Sequence, residues 1–136
     1  MQITRQADYA VRAMVYLTQH PDNRAATGLI AKEKNIPPSF LAKIVSQLAV
    51  AGLLQTSRGA HGGVSLAKPP EAISILDVVE AIDGPIHLND CVSDMSSCSF
   101  NDDCPLKPVW CEAQQMLVDH LSKSTFAQYT QVAAQG

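Results

Sequence analysis

Apolar residues recur at helical spacing in two segments of the first fifty residues. The first segment begins after Thr4, a residue type that caps helix N-termini, and ends in the polar turn at residues 20–23. The second begins at Pro38, where proline suits the first helical turn, and stops before Gly52. Both segments are therefore predicted to be helices. The second has one apolar face, made of Leu41, Ile44, Val45, Leu48 and Ala49.

A short helix is predicted between these two. Thr27 is its candidate N-cap, it runs to about Lys34, and Leu29 and Ile30 are expected to face inward. Residues 35–37 leave only a tight connection to the next helix. This is the spacing of a helix-turn-helix.

Two short extended segments follow, at residues 53–57 and 64–67. The six residues that join them include three glycines, which permit an irregular hairpin turn with positive φ. Three helices followed by a glycine-rich hairpin form the element order of a winged helix-turn-helix. The predicted fold class is therefore mainly α with a small β-hairpin wing.

The chain changes character after the hairpin. Pro69 and Pro70 make a plausible domain edge. We therefore expect a winged helix-turn-helix domain at residues 1–68 and a second unit at residues 69–136.

The second unit begins with a clear helix signal. Ser74 and Asp77 have the spacing of a capping box, and the helix is expected to end at Asp83. Residues from about 86 to 108 show no period, and a loop of this length is usually functional or disordered. Apolar residues from Val109 onward predict a long final helix.

Charge is distributed unevenly between the two units. The net charge is −3, but residues 1–68 carry +5 from eight basic and three acidic residues, whereas residues 69–136 carry −8 from two basic and ten acidic residues. A basic half suggests a polyanionic partner, although two unevenly charged surfaces without a partner would give the same split. No apolar run approaches the roughly 18 residues of a membrane helix, and no signal-peptide core is visible. A cytoplasmic protein is expected.

The polar face of the third helix carries residue types that read DNA. Opposite its apolar positions lie Ser39, Lys43 and Ser46, flanked by Phe40 and Gln47. Lys and Gln can bond base edges, Phe can contact a thymine methyl group, and Ser can bond a base or a phosphate. A solvated helix face would contain similar residues one by one, but the whole arrangement favours DNA. Further DNA contacts are expected from the helix ends and the wing, at Thr4, Arg5, Thr27, Arg58 and His61.

All four cysteines lie in the acidic half, at Cys91, Cys98, Cys104 and Cys111. In a cytoplasmic chain they favour metal binding or redox chemistry. Their spacing matches neither paired zinc knuckles nor ferredoxin-type runs, which leaves zinc, an iron–sulfur cluster and a thiol switch open. A helix from about Pro105 would place Cys111 roughly 10 Å along its axis from Cys104, so we assign Cys111 to helix packing.

The sequence resembles the Rrf family of winged-helix transcription regulators, of the IscR and NsrR type, over essentially its whole length. The resemblance begins with ITRQADYAVRAM at residues 3–14 and continues through the wing, SRGAHGGV, at residues 57–64. It extends through VEAIDG at residues 79–84 to the three-cysteine loop and Trp110. The wing and the cysteine loop together are very specific to this family.

The resemblance implies a homodimeric regulator, acting as a repressor on a near-palindromic double-stranded DNA operator. It also implies that Cys91, Cys98 and Cys104 hold an iron–sulfur cluster that senses nitric oxide, redox or iron–sulfur status. Family members of the IscR type use a histidine as fourth ligand where this chain has Lys107, whereas members of the NsrR type use an acidic residue on the partner subunit's first helix, where this chain has Asp8. The pattern is closest to the NsrR type, which favours a 4Fe–4S cluster, with 2Fe–2S as the other form.

Two other classes of function compete with this interpretation. The same regulator without a cluster would use zinc or a disulfide among the four cysteines, and acid-labile sulfide separates the two cases. An enzyme is not expected, because the sequence has no Cys-x2-Cys redox motif, no nucleophile beside a base and no phosphate-binding glycine loop before a helix.

Overall fold

A computed structural model describes residues 2–57, 63–88 and 105–130 of the chain. The helices with bounds in this part are α1 (Arg5–Gln19), α2 (Thr27–Lys34), α3 (Pro38–Val50), α4 (Ile75–Asp83) and α5 (Lys107–Lys123). The strands are β1 (Arg24–Ala25), β2 (Leu54–Ser57) and β3 (Gly63–Leu66), and single 3-10 turns lie at Pro21–Asn23 and Pro70–Ala72. This mostly helical architecture with a small antiparallel sheet confirms the predicted fold class.

Helix α1 forms the centre of the core. It begins as predicted, because the Thr4 hydroxyl accepts a hydrogen bond of 3.1 Å from the Ala7 N–H. Its apolar face is fully buried at Ala10, Met14 and Leu17, and packs against α3 and α4. The alternation of this face with polar residues is what the sequence pattern predicted.

The α2–α3 pair forms the helix-turn-helix, and the turn between the two helices depends on Asn35, which adopts a left-handed conformation at φ 53°. Two details of the α2 prediction are wrong. Ala26 is the N-cap rather than Thr27, because the Ala26 carbonyl already accepts from the N–H groups of Leu29 and Ile30. Leu29 does not face inward but is 38% exposed, because the buried residues of α2 are Ile30 and Ala31.

The wing strands β2 and β3 belong to a three-stranded antiparallel sheet with the order β1-β3-β2, in which β3 is the central strand. The two predicted strands are confirmed with bounds that differ by one residue, but β1 was not predicted, since two residues carry no readable alternation. Gly63 opens β3 with φ 150°, and a Cβ atom there would lie 2.5 Å from the Ala25 carbonyl oxygen. Only glycine allows β1 and β3 to approach this closely.

Helix α4 and the end of the chain join the same core. The predicted capping box is present in full, with the Ser74 hydroxyl accepting from the Asp77 N–H at 3.0 Å and the Asp77 carboxylate accepting from the Ser74 N–H at 2.9 Å. The segment after α5 returns to this helix start, where the Ile75 N–H donates to the Ser124 carbonyl at 2.8 Å. Phe126, in the same segment, is fully buried.

Helix α5 packs less completely than the others. None of its residues is buried, although its side chains at Leu117, Val118 and Leu121 pack against a small cluster made of Leu76 and Val79 on α4 and Ile86 just after it. It starts at Lys107, slightly earlier than the apolar pattern marked. Leu88 ties the preceding segment to α5, because its N–H donates to the Gln114 side-chain oxygen at 3.0 Å. No helix in the part of the chain that the structure describes is long and apolar enough to cross a membrane.

Candidate nucleic-acid interface and regulatory region

Helix α3 divides its side chains between the core and the surface as the sequence predicted. Leu41 and Ile44 have almost no exposed area, whereas Ser39, Lys43 and Ser46 on the opposite side are exposed. The helix therefore presents a hydroxyl, an ammonium group and a second hydroxyl on one accessible face. An α-helix with such a face fits the major groove of B-DNA.

Phe40 and Gln47 flank this face and differ in how they are held. Phe40 is 41% exposed and packs against Tyr9 of α1, with ring centroids 6.1 Å apart at an angle of 59°. Gln47 is partly buried, and its side-chain oxygen is enclosed without a hydrogen-bond partner among the residues described. Phe40 is thus presented to solvent by α1, whereas the Gln47 amide oxygen points into the protein, which its sequence position did not indicate.

The candidate phosphate contacts at the helix ends fall into two groups. Arg5 and Thr27 are exposed at the starts of α1 and α2. Thr4 is exposed as well, but its hydroxyl donates to the Asp83 carboxylate at 2.5 Å. A phosphate would therefore have to share Thr4 with Asp83, a residue that sequence analysis did not single out. The sequence does contain a signal for this contact. Asp83 ends a predicted helix, and an acidic residue at a helix C-terminus is unfavourable for that helix.

The two candidate residues of the wing, Arg58 and His61, lie outside the described residues. The strands that carry the wing are described, and β2 exposes Gln55, Thr56 and Ser57. The Arg24 guanidinium donates to the Ser57 hydroxyl at 2.9 Å, which links β1 to the end of β2 next to the hairpin turn.

Asp8 lies on the exposed side of α1, close to its N-terminus. Its carboxylate forms an ion pair of 3.1 Å with Arg12 one turn later, and about half of each side chain is exposed. Such a surface pair is weakly held, so the carboxylate is accessible to another ligand. Asp8 also borders a cavity of about 240 Å³ between α1, α4 and α5 whose other lining residues are apolar: Ile3, Val11, Ile75, Val79, Leu117 and Leu121.

The three candidate cluster cysteines, Cys91, Cys98 and Cys104, lie outside the described residues. The assignment of Cys111 to helix packing is wrong, because Cys111 is an exposed free thiol on α5. Within residues 2–57, 63–88 and 105–130, no three His, Cys, Asp or Glu side chains are grouped so that they could hold a metal ion.

Helix α5 presents an uncovered apolar face. Leu106 is 54% exposed just before the helix, and Val109, Trp110 and Met116 are 55%, 39% and 66% exposed. At about 100° per residue these side chains point to one side of the helix, away from the polar face that contains Gln115. Large apolar side chains gathered on one face of a monomer mark an interaction surface.

A separate polar cluster lies where α1 meets α2. The ring centroids of Tyr16 and His20 are 5.1 Å apart, and the Lys34 ammonium lies 5.8 Å from the centroid of the Tyr16 ring. Desolvation and the nearby negative charge of Glu33 raise the pKa of Tyr16 above its ordinary value. The phenol therefore stays neutral across the physiological range, and the cluster serves to pack α2 on α1.

A helix-turn-helix whose second helix exposes Lys43, followed by a β-hairpin, is the architecture of a winged helix-turn-helix domain. Residues 3–131 match the model of the Rrf2 family, described as iron-dependent transcriptional regulators, and the chain belongs to this family. It is thus a DNA-binding transcriptional regulator, in a family of regulators rather than enzymes.

Solved structures of this fold include several regulators. The chain is 25% identical to CymR, the global cysteine regulator of B. subtilis, with a TM-score of 0.81 and coverage of 97% of this chain and 98% of that one. It is 26% identical to the oxidized form of Staphylococcus aureus CymR, with a TM-score of 0.76 and 96% coverage of both chains. T. potens IscR, at 23% identity, has the same fold with a TM-score of 0.75 over all of this chain and 89% of that one.

Proposed function

We propose that this chain is a homodimeric repressor whose affinity for a near-palindromic operator is controlled by an iron–sulfur cluster. The observation that carries DNA readout is the two-faced helix α3, with Leu41 and Ile44 in the core and Ser39 and Lys43 exposed. Phe40 extends the same face with an apolar ring suited to a thymine methyl group. Gln47, Thr4, Arg5, Thr27, Arg58 and His61 complete the proposed contact set.

The proposed domain division follows the charge split. Residues 1–68 would bind DNA, and residues 69–136 would provide the linker helix, the cysteine region at about 86–108 and the dimerisation helix. The basic first part carries +5 and the acidic second part −8. Like charge keeps the acidic part away from the phosphate backbone, which directs DNA to the first part.

The second copy of the chain is proposed to cover the apolar face of α5. The side chains at Val109, Trp110 and Met116 leave a row of apolar area in water that a monomer does not need to expose. A twofold interface uses the same face of both copies, so a single helix face is sufficient to build it.

The proposed cluster ligands are Cys91, Cys98 and Cys104 with Asp8 of the partner subunit. The donor set fits such a group, because thiolates are the standard ligands of iron–sulfur centres and the Asp8 carboxylate is exposed and held only by its surface pair with Arg12. When bound, the cluster supplies a redox- and nitric-oxide-reactive group. Asp8 lies on α1, which packs against α3, so a change in how Asp8 is held would reach the reading helix through one packed contact.

Metal and sulfide analysis of protein purified without oxygen tests the cofactor. We expect acid-labile sulfide together with iron, and zinc without sulfide would contradict the proposal. Asp8→Ala is expected to change the cluster spectrum and the response to nitric oxide. Arg12→Ala breaks the same ion pair but keeps the carboxylate, so it is the matched control and should retain both. If Asp8→Ala behaves like the unmodified protein, Asp8 is not a ligand.

A thiol switch without a cluster is the second candidate, and two observations favour it. The structure of S. aureus CymR, which is 26% identical, is of an oxidized form, and Cys111 is an exposed thiol in this chain. This candidate predicts sulfide-free protein whose operator affinity changes on mild oxidation and recovers with a thiol reductant. Cys111→Ser would remove that response if Cys111 is one of the reacting thiols.

A further inference from the structure

Asp83, the last residue of α4, reaches across to the first turn of α1. One carboxylate oxygen accepts a hydrogen bond of 2.5 Å from the Thr4 hydroxyl, and the other accepts one of 3.3 Å from the Thr4 backbone N–H. The Thr4 hydroxyl oxygen in turn accepts from the Ala7 N–H at 3.1 Å. The hydroxyl is thus acceptor and donor at once, which fixes the direction of its proton.

The stability of α4 does not explain why its last residue is acidic. A carboxylate at the C-terminus of a helix opposes the helix dipole, and α4 has no basic residue in its last turn to compensate. At α1 the same carboxylate faces the positive end of a helix and satisfies a backbone N–H outside it. Asp83 therefore stabilises α1 rather than the helix to which it belongs.

The contact continues to Asp8. The Asp8 N–H donates to the Thr4 carbonyl at 3.0 Å. Thr4 is therefore hydrogen-bonded to Asp83 through its hydroxyl and to Asp8 through its carbonyl. Asp83 also closes the helix that leads toward the proposed cysteine region. One side chain thus joins the element before the cysteines to the first turn of the helix that carries Asp8.

We propose that Asp83 is a positioning residue that holds the first turn of α1, and with it Asp8, in a fixed register against α4. The role in presenting Asp8 to a cluster rests on the proposed function. The ordering of the α1 N-terminus rests only on the hydrogen bonds of Thr4. The two parts are therefore tested separately.

Amide hydrogen exchange on the cluster-free protein tests the ordering of α1. In Asp83→Ala the N–H groups of Ala7 and Asp8 are expected to exchange about five- to tenfold faster, because the hydrogen bonds that hold the Thr4 cap in place are lost. Glu80→Ala removes the same charge from an exposed position one turn earlier on α4 and should leave both rates unchanged. Unchanged rates in Asp83→Ala, or an equal rise at Ile44 in the core, would overturn the proposal.

Cluster retention tests the link to Asp8. Loaded Asp83→Ala is expected to lose its visible absorption band at least about threefold faster than the unmodified protein when an iron chelator is added, whereas Glu80→Ala should match the unmodified protein. Equal rates in loaded Asp83→Ala and unmodified protein would overturn the link. If the unmodified protein takes up no cluster, the proposed function fails, and the exchange experiment still decides whether Asp83 orders α1.

Discussion

Individual side chains in this protein gain their roles from how the core orients their neighbours. Lys43 is exposed because Leu41 and Ile44, on the other side of the same helix, are buried. Phe40 is directed outward by its contact with Tyr9. The sequence pattern predicted the buried positions correctly, since a helical period needs only residue type. It could not predict the inward Gln47 oxygen, which depends on how far the neighbouring elements cover that side chain.

We expect Lys43→Ala to weaken operator binding by about 1–3 kcal/mol, the cost of losing one base contact. Fluorescence anisotropy measures this on a duplex that the unmodified protein has selected from a random-sequence pool. Lys123→Ala removes the same charge from the exposed end of α5 and is the matched control. An equal loss in both variants, or no loss in Lys43→Ala, would show that Lys43 does not read the operator.

Gly63 and Gly28 form a pair of positions with opposite expected responses to an added methyl group. Gly63→Ala should lower the free energy of unfolding by about 1–3 kcal/mol, because the residue has φ 150° and the new Cβ atom would meet the Ala25 carbonyl at 2.5 Å. Gly28→Ala should raise it by about 0.5–1 kcal/mol, because Gly28 lies within α2 and a Cβ atom there meets nothing within 4 Å. Urea unfolding of both variants measures these free energies, and an equal change in both would contradict the close packing of β3 on β1.

At the scale of elements, local signals predicted the structure better than tertiary ones. Helix α4 was predicted to its last residue because the capping box of Ser74 and the glycine after Asp83 are both readable in sequence. Strand β1 and the start of α2 were not predicted. Strand β1 exists only by pairing with β3, and Ala26 becomes the cap because its carbonyl accepts the first hydrogen bonds of α2. The three cluster cysteines and the two wing residues lie outside the described residues, so those assignments remain predictions from sequence.

The apolar face of α5 makes a prediction about assembly. Met116→Lys is expected to weaken the dimer at least about tenfold, since it would place a charge in an apolar interface. Gln115→Lys introduces the same side chain at the adjacent position on the polar face, where a lysine stays in water. Both sites are exposed in the monomer, so neither change should impair folding. Light scattering over a dilution series measures the dimer, and equal dissociation of both variants would contradict an α5 interface.

In the molecule as a whole, the basic residues 1–68 and the acidic residues 69–136 share one core, because α1 packs against α4 and Phe126 is buried in the same cluster as Met14. The Thr4–Asp83 bridge connects the N-terminus of α1 to the C-terminus of α4, and the Ile75–Ser124 hydrogen bond returns the end of α5 to the start of α4. A change in the second part therefore has a direct route to the helices that are proposed to face DNA. This arrangement is what a regulator with two states of operator affinity needs.

Native mass spectrometry of protein purified without oxygen shows in one spectrum whether the chain is a dimer and whether each subunit holds a cluster. We predict a dimer that carries one 4Fe–4S mass per subunit, and a 2Fe–2S mass would keep the sensor but remove the case for Asp8 as a ligand. A dimer with zinc, or a bare dimer even after anaerobic reconstitution with iron and sulfide, would contradict it and favour the thiol or zinc switch.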